Sequence, residues 1–278
     1  MSVQLFDTHC HIQESAPLKP GQDDKDHTNK LWSKLGYPTP AELVREAAKH
    51  HVTGMMVVGC DLRRSEQAIV VASEVDSTYA SIGIHPHEAQ IHLDEPTYLK
   101  RFAALAADLH VKAIGECGLD YFYEHSPKEA QAKILRFQLD LAQKHDLPLI
   151  FHVRDAFDDF WPIFDEYRGL RGVLHSFTDS AENLKKGLER GLYVGINGIM
   201  TFTKDASQLA MVKSIPTDRI VLETDAPYLT PAPYRGTICE PKHVRVTAEF
   251  LAELRRESLP ELAAYTTQNA YALFDLKR

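Results

Sequence analysis

The sequence predicts an α/β chain folded as a (β/α)8 TIM barrel with helices added at its C-terminal end, and three observations carry that reading. Short apolar runs alternate with amphipathic segments eight times along the 278 residues, the pattern of repeated parallel βαβ units. No G-x-G-x-x-G or G-x-x-x-x-G-K-[ST] run follows an early strand, so a doubly wound open sheet, the main alternative, lacks its phosphate loop. Residues able to bind a metal end six of the eight apolar runs, and a parallel barrel brings all those ends to one face.

The first strand is expected over 5–11. Its apolar start, Val3, Leu5 and Phe6, runs into His9-Cys10-His11, and alternation points both imidazoles one way and Cys10 the other. Residues 13–40 are polar, carry Pro17, Pro20, Gly21, Pro38, Pro40 and the charged run Asp23-Asp24-Lys25-Asp26, and read as a long loop with a short helix near Leu31. Thr39 or Pro40 opens a helix to about His50, with Leu43, Val44 and Ala47 on its apolar face. Further strands are expected over 54–59, 79–84, 111–116, 148–153, 172–177, 192–199 and 219–225. The helices between them fall near 64–75, 95–109, 127–145, 155–167, 180–190 and 205–213, and residues 241–275 read as two or three closing helices. No linker or break in composition divides the chain, so 1–278 is expected to form one domain, an ordinary length for a single barrel.

Composition narrows the function. The chain is 44% hydrophobic and 25% charged, as soluble globular proteins are, with a formal net charge of −8. That balance argues against a broad basic face for duplex DNA, but it leaves room for a cleft whose positive charge comes from metal. The four cysteines include no C-x-x-C pair and read as reduced thiols of a cytoplasmic protein. Neither a secretory leader nor a membrane span is expected, and no obligate protein partner is evident.

An isolated H-x-H is more often two unrelated polar residues than a metal site. Here the barrel changes the weight. Strand one ends in His9 and His11, strand three in His85, strand four in Glu116, strand five in His152, strand six in His175 and strand eight in Asp225. The set His9, His11, Glu116, His152, His175 and Asp225 exceeds what one ion with an open position needs. Two divalent ions sharing Glu116 are therefore expected, one held by His9, His11, Glu116 and Asp225, the other by Glu116, His152 and His175. Imidazole with carboxylate suits Zn²⁺, Mn²⁺ or Fe²⁺ better than Ca²⁺, and Mg²⁺ stays open if phosphate and water add oxygens. Two ions about 3.5–4 Å apart acidify a shared water and clamp the entering and leaving oxygens of a displacement. Glu116 and Asp225 are the catalytic carboxylates in this scheme, with Asp225 as general base.

The stretches Phe6-Asp7-Thr8-His9-Cys10-His11, Gly83-Ile84-His85-Pro86-His87-Glu88 and Ile114-Gly115-Glu116-Cys117-Gly118-Leu119-Asp120-Tyr121 are diagnostic. So are the runs 148–156 around His152, Leu174-His175-Ser176-Phe177-Thr178, and 222–229 around Asp225. In this order and over nearly the whole chain they resemble the TatD family of metal-dependent deoxyribonucleases, within the amidohydrolase-like barrels. The resemblance implies a single barrel, two divalent metals (Mg, Mn or Zn) and phosphodiester hydrolysis, often 3′-to-5′ on single-stranded DNA. It departs from the family after strand eight, where a basic residue and an Asn often stand. This chain reads Arg235-Gly236-Thr237-Ile238-Cys239-Glu240-Pro241.

His85, Arg154 and Arg235 are the candidate substrate contacts. Arg154 either reaches a phosphate or pairs with Asp155 or Asp120, and His85 meets a phosphate or leaving oxygen. His87 and His92 read as solvated loop residues, Glu223 and Asp7 as paired structural carboxylates, and Asn269 as an anchor of the last helix. Tyr121, Phe122 and Tyr123 either stack on bases or pack the barrel mouth. Three functions compete. A nuclease or phosphodiesterase leads, because the two arginines favour phosphate. A small-molecule amidohydrolase on the same site follows, because one barrel serves many chemistries. A catalytically silent binding protein comes last.

Overall fold

The structure is a computed structural model and describes residues 3–19, 27–123 and 125–277. Eight parallel strands stand side by side in sequence order. They are β1 (Leu5–Cys10), β2 (Val52–Val58), β3 (Thr78–Ile82), β4 (Val111–Asp120), β5 (Leu149–Arg154), β6 (Gly172–Leu174), β7 (Tyr193–Ile196) and β8 (Ile220–Leu222). The helices are α1 (Thr28–Ser33), α2 (Pro40–Lys49), α3 (Leu62–Glu74), α4 (Ala89–Asp94), α5 (Pro96–Leu105), α6 (Lys128–His145), α7 (Phe157–Asp165), α8 (Ala181–Glu189), α9 (Ala206–Ser214), α10 (Val244–Arg255) and α11 (Leu259–Leu273). This is the expected (β/α)8 barrel. No described helix is long and apolar enough to cross a membrane.

Local chemistry sets the element boundaries. Thr39 and Ser258 each form a reciprocal capping box, with Glu42 at the start of α2 and Glu261 at the start of α11. The carboxylate of Asp61 accepts from the Arg64 amide and starts α3. The helix expected over 95–109 is α5, which ends sooner, at Leu105, and a short unexpected helix, α4, precedes it. Pro96 has no amide hydrogen to continue α4, and Glu95 before it is driven out of the helical region. Strand six was expected to reach 177 and strand eight 225, but the ladders stop at Leu174 and Leu222, so His175 and Asp225 lie on the turns just past them. Strand four errs the other way and runs on to Asp120. The charged run at 23–26 lies outside the described residues. Of the long loop, α1 folds back on the first strand, and the Trp32 indole N–H donates to the His11 carbonyl at 3.3 Å.

The barrel interior changes character along its axis. Toward the N-terminal ends of the strands it is apolar, built from Phe6, Met56, Ala113, Ile150, Val173 and Val221 against Phe274 beyond α11. Two residues farther along β5, past Ile150, stands His152, and His175 follows Val173 in the same way. The hydrophobic layer thus floors a polar cup. At Gly118 the chain comes so close to β5 that a Cβ would overlap the carbonyl oxygen of His152. That approach sets Glu116 and His152 on adjoining strands.

β1 and β8 close the barrel without a regular ladder. The Asp225 amide donates to the His9 carbonyl and the His11 amide to the Ala226 carbonyl, both at 2.8 Å. Beneath them the carboxyl of Asp7, wholly buried, accepts the Thr224 amide at 2.8 Å, and the Thr224 hydroxyl lies 2.6 Å from its other oxygen. Burial pushes the Asp7 carboxyl up to about 8, against the lowering effect of these Thr224 contacts. Asp7→Ala leaves the Thr224 amide buried and unpaired at this seam, while the Thr224 hydroxyl keeps the His9 carbonyl and the Ala226 amide. It should lower the unfolding free energy by about 1–3 kcal/mol in urea melts. An unchanged midpoint would mean the seam does not depend on Asp7.

Candidate active site

Glu116 stands at the centre of the cup with 5% of its surface exposed. Its two oxygens face different partners. Oε1 is 2.8 Å from His152 Nδ1, 3.6 Å from His85 Nε2 and 3.7 Å from His175 Nε2. Oε2 is 3.4 Å from His9 Nε2 and accepts the Cys60 thiol at 3.6 Å. On the far side of His9, Asp225 Oδ1 lies 3.7 Å from His9 Nε2 and 3.4 Å from His11 Nε2. All six residues expected to hold metal therefore meet in one cup.

With His85 they form three overlapping triads, His9–His11–Glu116, His9–His175–Asp225 and His85–Glu116–His152, with the ligand atoms of each within 4.8 Å of one another. The triads share His9 and Glu116, and they show two contacts beyond the expected sets. His175 sits with His9 and Asp225, because its ring stacks on that of His9 with centroids 3.6 Å apart. His85, expected only as a substrate contact, joins Glu116 and His152. Its hydrogen bonding still favours the substrate role. Nδ1 accepts the His87 amide at 3.2 Å, so a neutral His85 carries its proton on Nε2, the atom that faces the cup.

Outer partners orient the imidazoles. His11 Nδ1–H donates to the Val58 carbonyl at 2.9 Å, which turns Nε2 toward Asp225. His175 Nδ1 is 3.0 Å from Glu223 Oε1, and Glu223 also accepts the Ser176 amide at 2.6 Å. His152 Nε2 is 2.9 Å from Asp120 Oδ2, which also receives His87 Nε2 at 3.2 Å.

The charges follow from these contacts. Burial opposes ionisation of Glu116, but the imidazoles of His85, His152 and His9 outweigh it and hold the carboxyl well below its usual range. Asp225 is likewise held low, burial being offset by its contact with His11 and by His175 and His9 nearby. Burial would lower His152, yet Asp120 and Glu116 bring it to about 9. His175 also reaches about 9, since Glu223 outweighs burial. Burial keeps the Cys60 thiol neutral by pushing it up to about 12.

This donor set fits divalent cations. Two buried charged carboxylates draw compensating positive charge to themselves. The Nε2 atoms of His9 and His11 converge to 3.3 Å, and the buried Nδ1 of His9 makes no hydrogen bond. Neutral imidazole nitrogens beside carboxylates are the ligands that Zn²⁺ and Mn²⁺ take.

The substrate candidates lie on the rim. Arg154 is exposed, with its guanidinium carbon 3.9 Å from the centre of the Phe122 ring. Arg235 is exposed 3.8 Å above Phe202 and donates to the Thr230 carbonyl at 3.3 Å. Among the described residues neither makes a carboxylate pair, so the alternative of Arg154 bound to Asp155 or Asp120 is not seen. Asp120 is occupied by His152, His87 and two backbone amides.

Two residues read as solvated are not. His92 is buried, with Nδ1 bonded to the Glu88 carbonyl and Nε2 accepting the Leu62 amide, one of the free N–H groups at the start of α3. His87 is only part-exposed because Asp120 holds it. Asn269 anchors α11 as expected, donating to the carbonyls of Thr217 and Ile220 at 2.8 Å. Sequence reasoning missed Cys60 and Asp120 and gave Glu223 no link to His175. For Asp120 the signal was present, because positions 116, 118 and 120 share one face of a strand.

A buried cup of imidazoles and carboxylates at the C-terminal mouth of a (β/α)8 barrel defines a metal-dependent hydrolase barrel. The profile of the family described as TatD related DNase matches residues 6–275, and the chain belongs to that family. YabD of Bacillus subtilis (strain 168), an uncharacterized metal-dependent hydrolase, is 37% identical over 97% of this chain and 98% of its own length. The 3′-5′ ssDNA/RNA exonuclease TatD of Cronobacter sakazakii is 36% identical over 84% of this chain and 90% of its own. The crystal structure of YJJV, a TatD homolog from Escherichia coli K12, superposes with a TM-score of 0.82 at 25% identity, covering 98% of each chain. The protein is a TatD-type metal-dependent hydrolase.

The contact between Asp120 and His152 generates a prediction. Asp120→Asn should weaken divalent-cation binding by about 10–100-fold, the usual cost of losing an outer partner of a metal-ligating histidine. Calorimetric titration with Mn²⁺ or Zn²⁺ measures it. Equal affinity in parent and variant would show that Asp120 does not orient His152.

Proposed function

We propose that this hydrolase is a phosphodiesterase that acts as a 3′-to-5′ exonuclease on single-stranded DNA. The observation that carries the reading is the division of Glu116. One oxygen faces His9 and the other faces His152 and His175, so a single carboxylate can serve two ions. His9, His11, Glu116 and Asp225 would hold one, and Glu116, His152 and His175 the other, with Mg²⁺, Mn²⁺ or Zn²⁺ the candidates. Bound there, such ions would activate water and neutralise charge on the phosphoryl oxygens.

The chain's own residues supply the rest. The Asp225 side chain is 17% exposed, so it opens to the cleft while the neighbouring imidazoles keep it ionised, and it accepts the proton of the attacking water. His85 presents Nε2–H to a phosphate or leaving oxygen. Arg154 and Arg235 offer charged donors on the rim, where a backbone phosphate would pass. The exonuclease relative at 36% identity supports a nucleic-acid substrate. The free thiols Cys10, Cys60, Cys117 and Cys239 suit a cytoplasmic enzyme.

The test is cleavage of an end-labelled single-stranded oligonucleotide with Mg²⁺ or Mn²⁺, beside an aryl ester and a dihydropyrimidine. The parent should shorten the oligonucleotide from its 3′ end. At matched metal occupancy Asp225→Asn should slow single-turnover cleavage by about 10²–10⁴-fold. Cleavage within a few-fold of the parent would remove Asp225 as the base. Hydrolysis of the ester or amide alone would make the protein a small-molecule amidohydrolase.

A further inference from the structure

The three aromatic residues that follow β4 divide their work. Tyr121 packs, its hydroxyl donating to Asp159 Oδ2 at 2.8 Å and its ring lying 3.9 Å from the Lys128 ammonium. Phe122 and Tyr123 keep more open surface, although the Tyr123 ring meets His87 edge-on with centroids 5.7 Å apart and lies along His125 at 5.8 Å. They are 53% and 44% exposed, unusual for adjacent large rings beside a catalytic cleft. The two rings meet edge to face with centroids 4.7 Å apart. The Arg154 guanidinium carbon lies 3.9 Å from the Phe122 centroid and 4.9 Å from that of Tyr123.

The cluster is fixed to the reacting centre. Asp120, 1% exposed, uses Oδ1 to accept the backbone amides of Phe122 and Tyr123, each at 3.0 Å. Its Oδ2 lies 2.9 Å from His152 Nε2. One buried carboxylate therefore ties the loop that carries the rings to an imidazole that touches Glu116. A loop tip with two exposed rings would ordinarily be mobile and costly in water. Here it is braced at its base and stacked by a cation.

We propose that Phe122 and Tyr123 form a stacking platform for an unpaired nucleobase beside the scissile phosphodiester, with Arg154 ordering the rings and offering its N–H edge to the adjoining phosphate. The inference rests on the nuclease reading and narrows it. A ring face is sequence-tolerant, because every base has a π-face, so the platform selects single strands without selecting sequence. It needs no basic surface, which agrees with the net charge of −8. A duplex keeps its bases stacked inside and offers the platform only a frayed end.

The experiment uses the full chain loaded with Mn²⁺ and two single-stranded oligonucleotides that differ only at the 3′-terminal nucleotide, one normal and one abasic. The parent should show a KM about 10–100-fold lower for the normal end, the range of one base–aromatic stack. In Phe122→Ala/Tyr123→Ala the ratio of the two KM values should collapse toward one, and Phe122→Tyr should restore most of it. A fluorescent purine analogue at the 3′ end should be quenched on binding to the parent and not to the double variant. Equal KM values for both ends in the parent, with no quenching, would overturn the platform and leave the nuclease reading intact. Failure of the parent to bind or cut either oligonucleotide would overturn both. Recovery of the rings as a protein-binding patch, with the KM ratio unchanged by the double variant, would also overturn the platform.

Discussion

The site depends on one buried carboxylate whose two oxygens answer to different partners. Glu116 is charged where burial alone would neutralise it, and it stays charged because imidazoles crowd both oxygens. Three imidazoles of the cup are aimed by a second contact. Val58 turns His11, Glu223 turns His175, and Asp120 turns His152. Breaking an outer contact therefore disturbs the ligand set without touching a ligand.

The barrel makes this arrangement affordable in structural terms. Its eight strand ends converge on one face, so ligands far apart in sequence need only short side chains to meet. The seam between β1 and β8 matters most, because His9, His11 and Asp225 come from its two sides. Main-chain bonds from Asp225 to His9 and from His11 to Ala226 hold it, with Asp7 and Thr224 beneath. The apolar layer beneath the cup supplies rigidity and excludes water from its floor.

The barrel and the convergence of the candidate ligand residues were legible in the sequence because both follow from local pattern. Apolar runs give the strands, and alternation gives the face on which His9 and His11 lie. What escaped depends on tertiary register. Periodicity ended β4 at Glu116, where the apolar run stops, yet the strand continues to Asp120, which finds His152 and His87 across the mouth. Strands six and eight were drawn too long, since they were carried past the apolar runs, which end with the ladders at Leu174 and Leu222, to include His175 and Asp225. His92 looked solvated because nothing local shows that α4 folds onto the start of α3. The grouping of His175 with His9 comes from ring stacking between strands one and six, which no spacing rule encodes.

The central claim is that Glu116 joins two ions in one centre, and electron paramagnetic resonance of the Mn²⁺-loaded protein tests it most directly. The account predicts that an exchange-coupled signal grows in as loading approaches about two equivalents, as expected for ions roughly 3.5–4 Å apart. The coupling should vanish in Glu116→Ala. A spectrum of isolated Mn²⁺ at every loading of the parent, or coupling that survives the loss of Glu116, would contradict it.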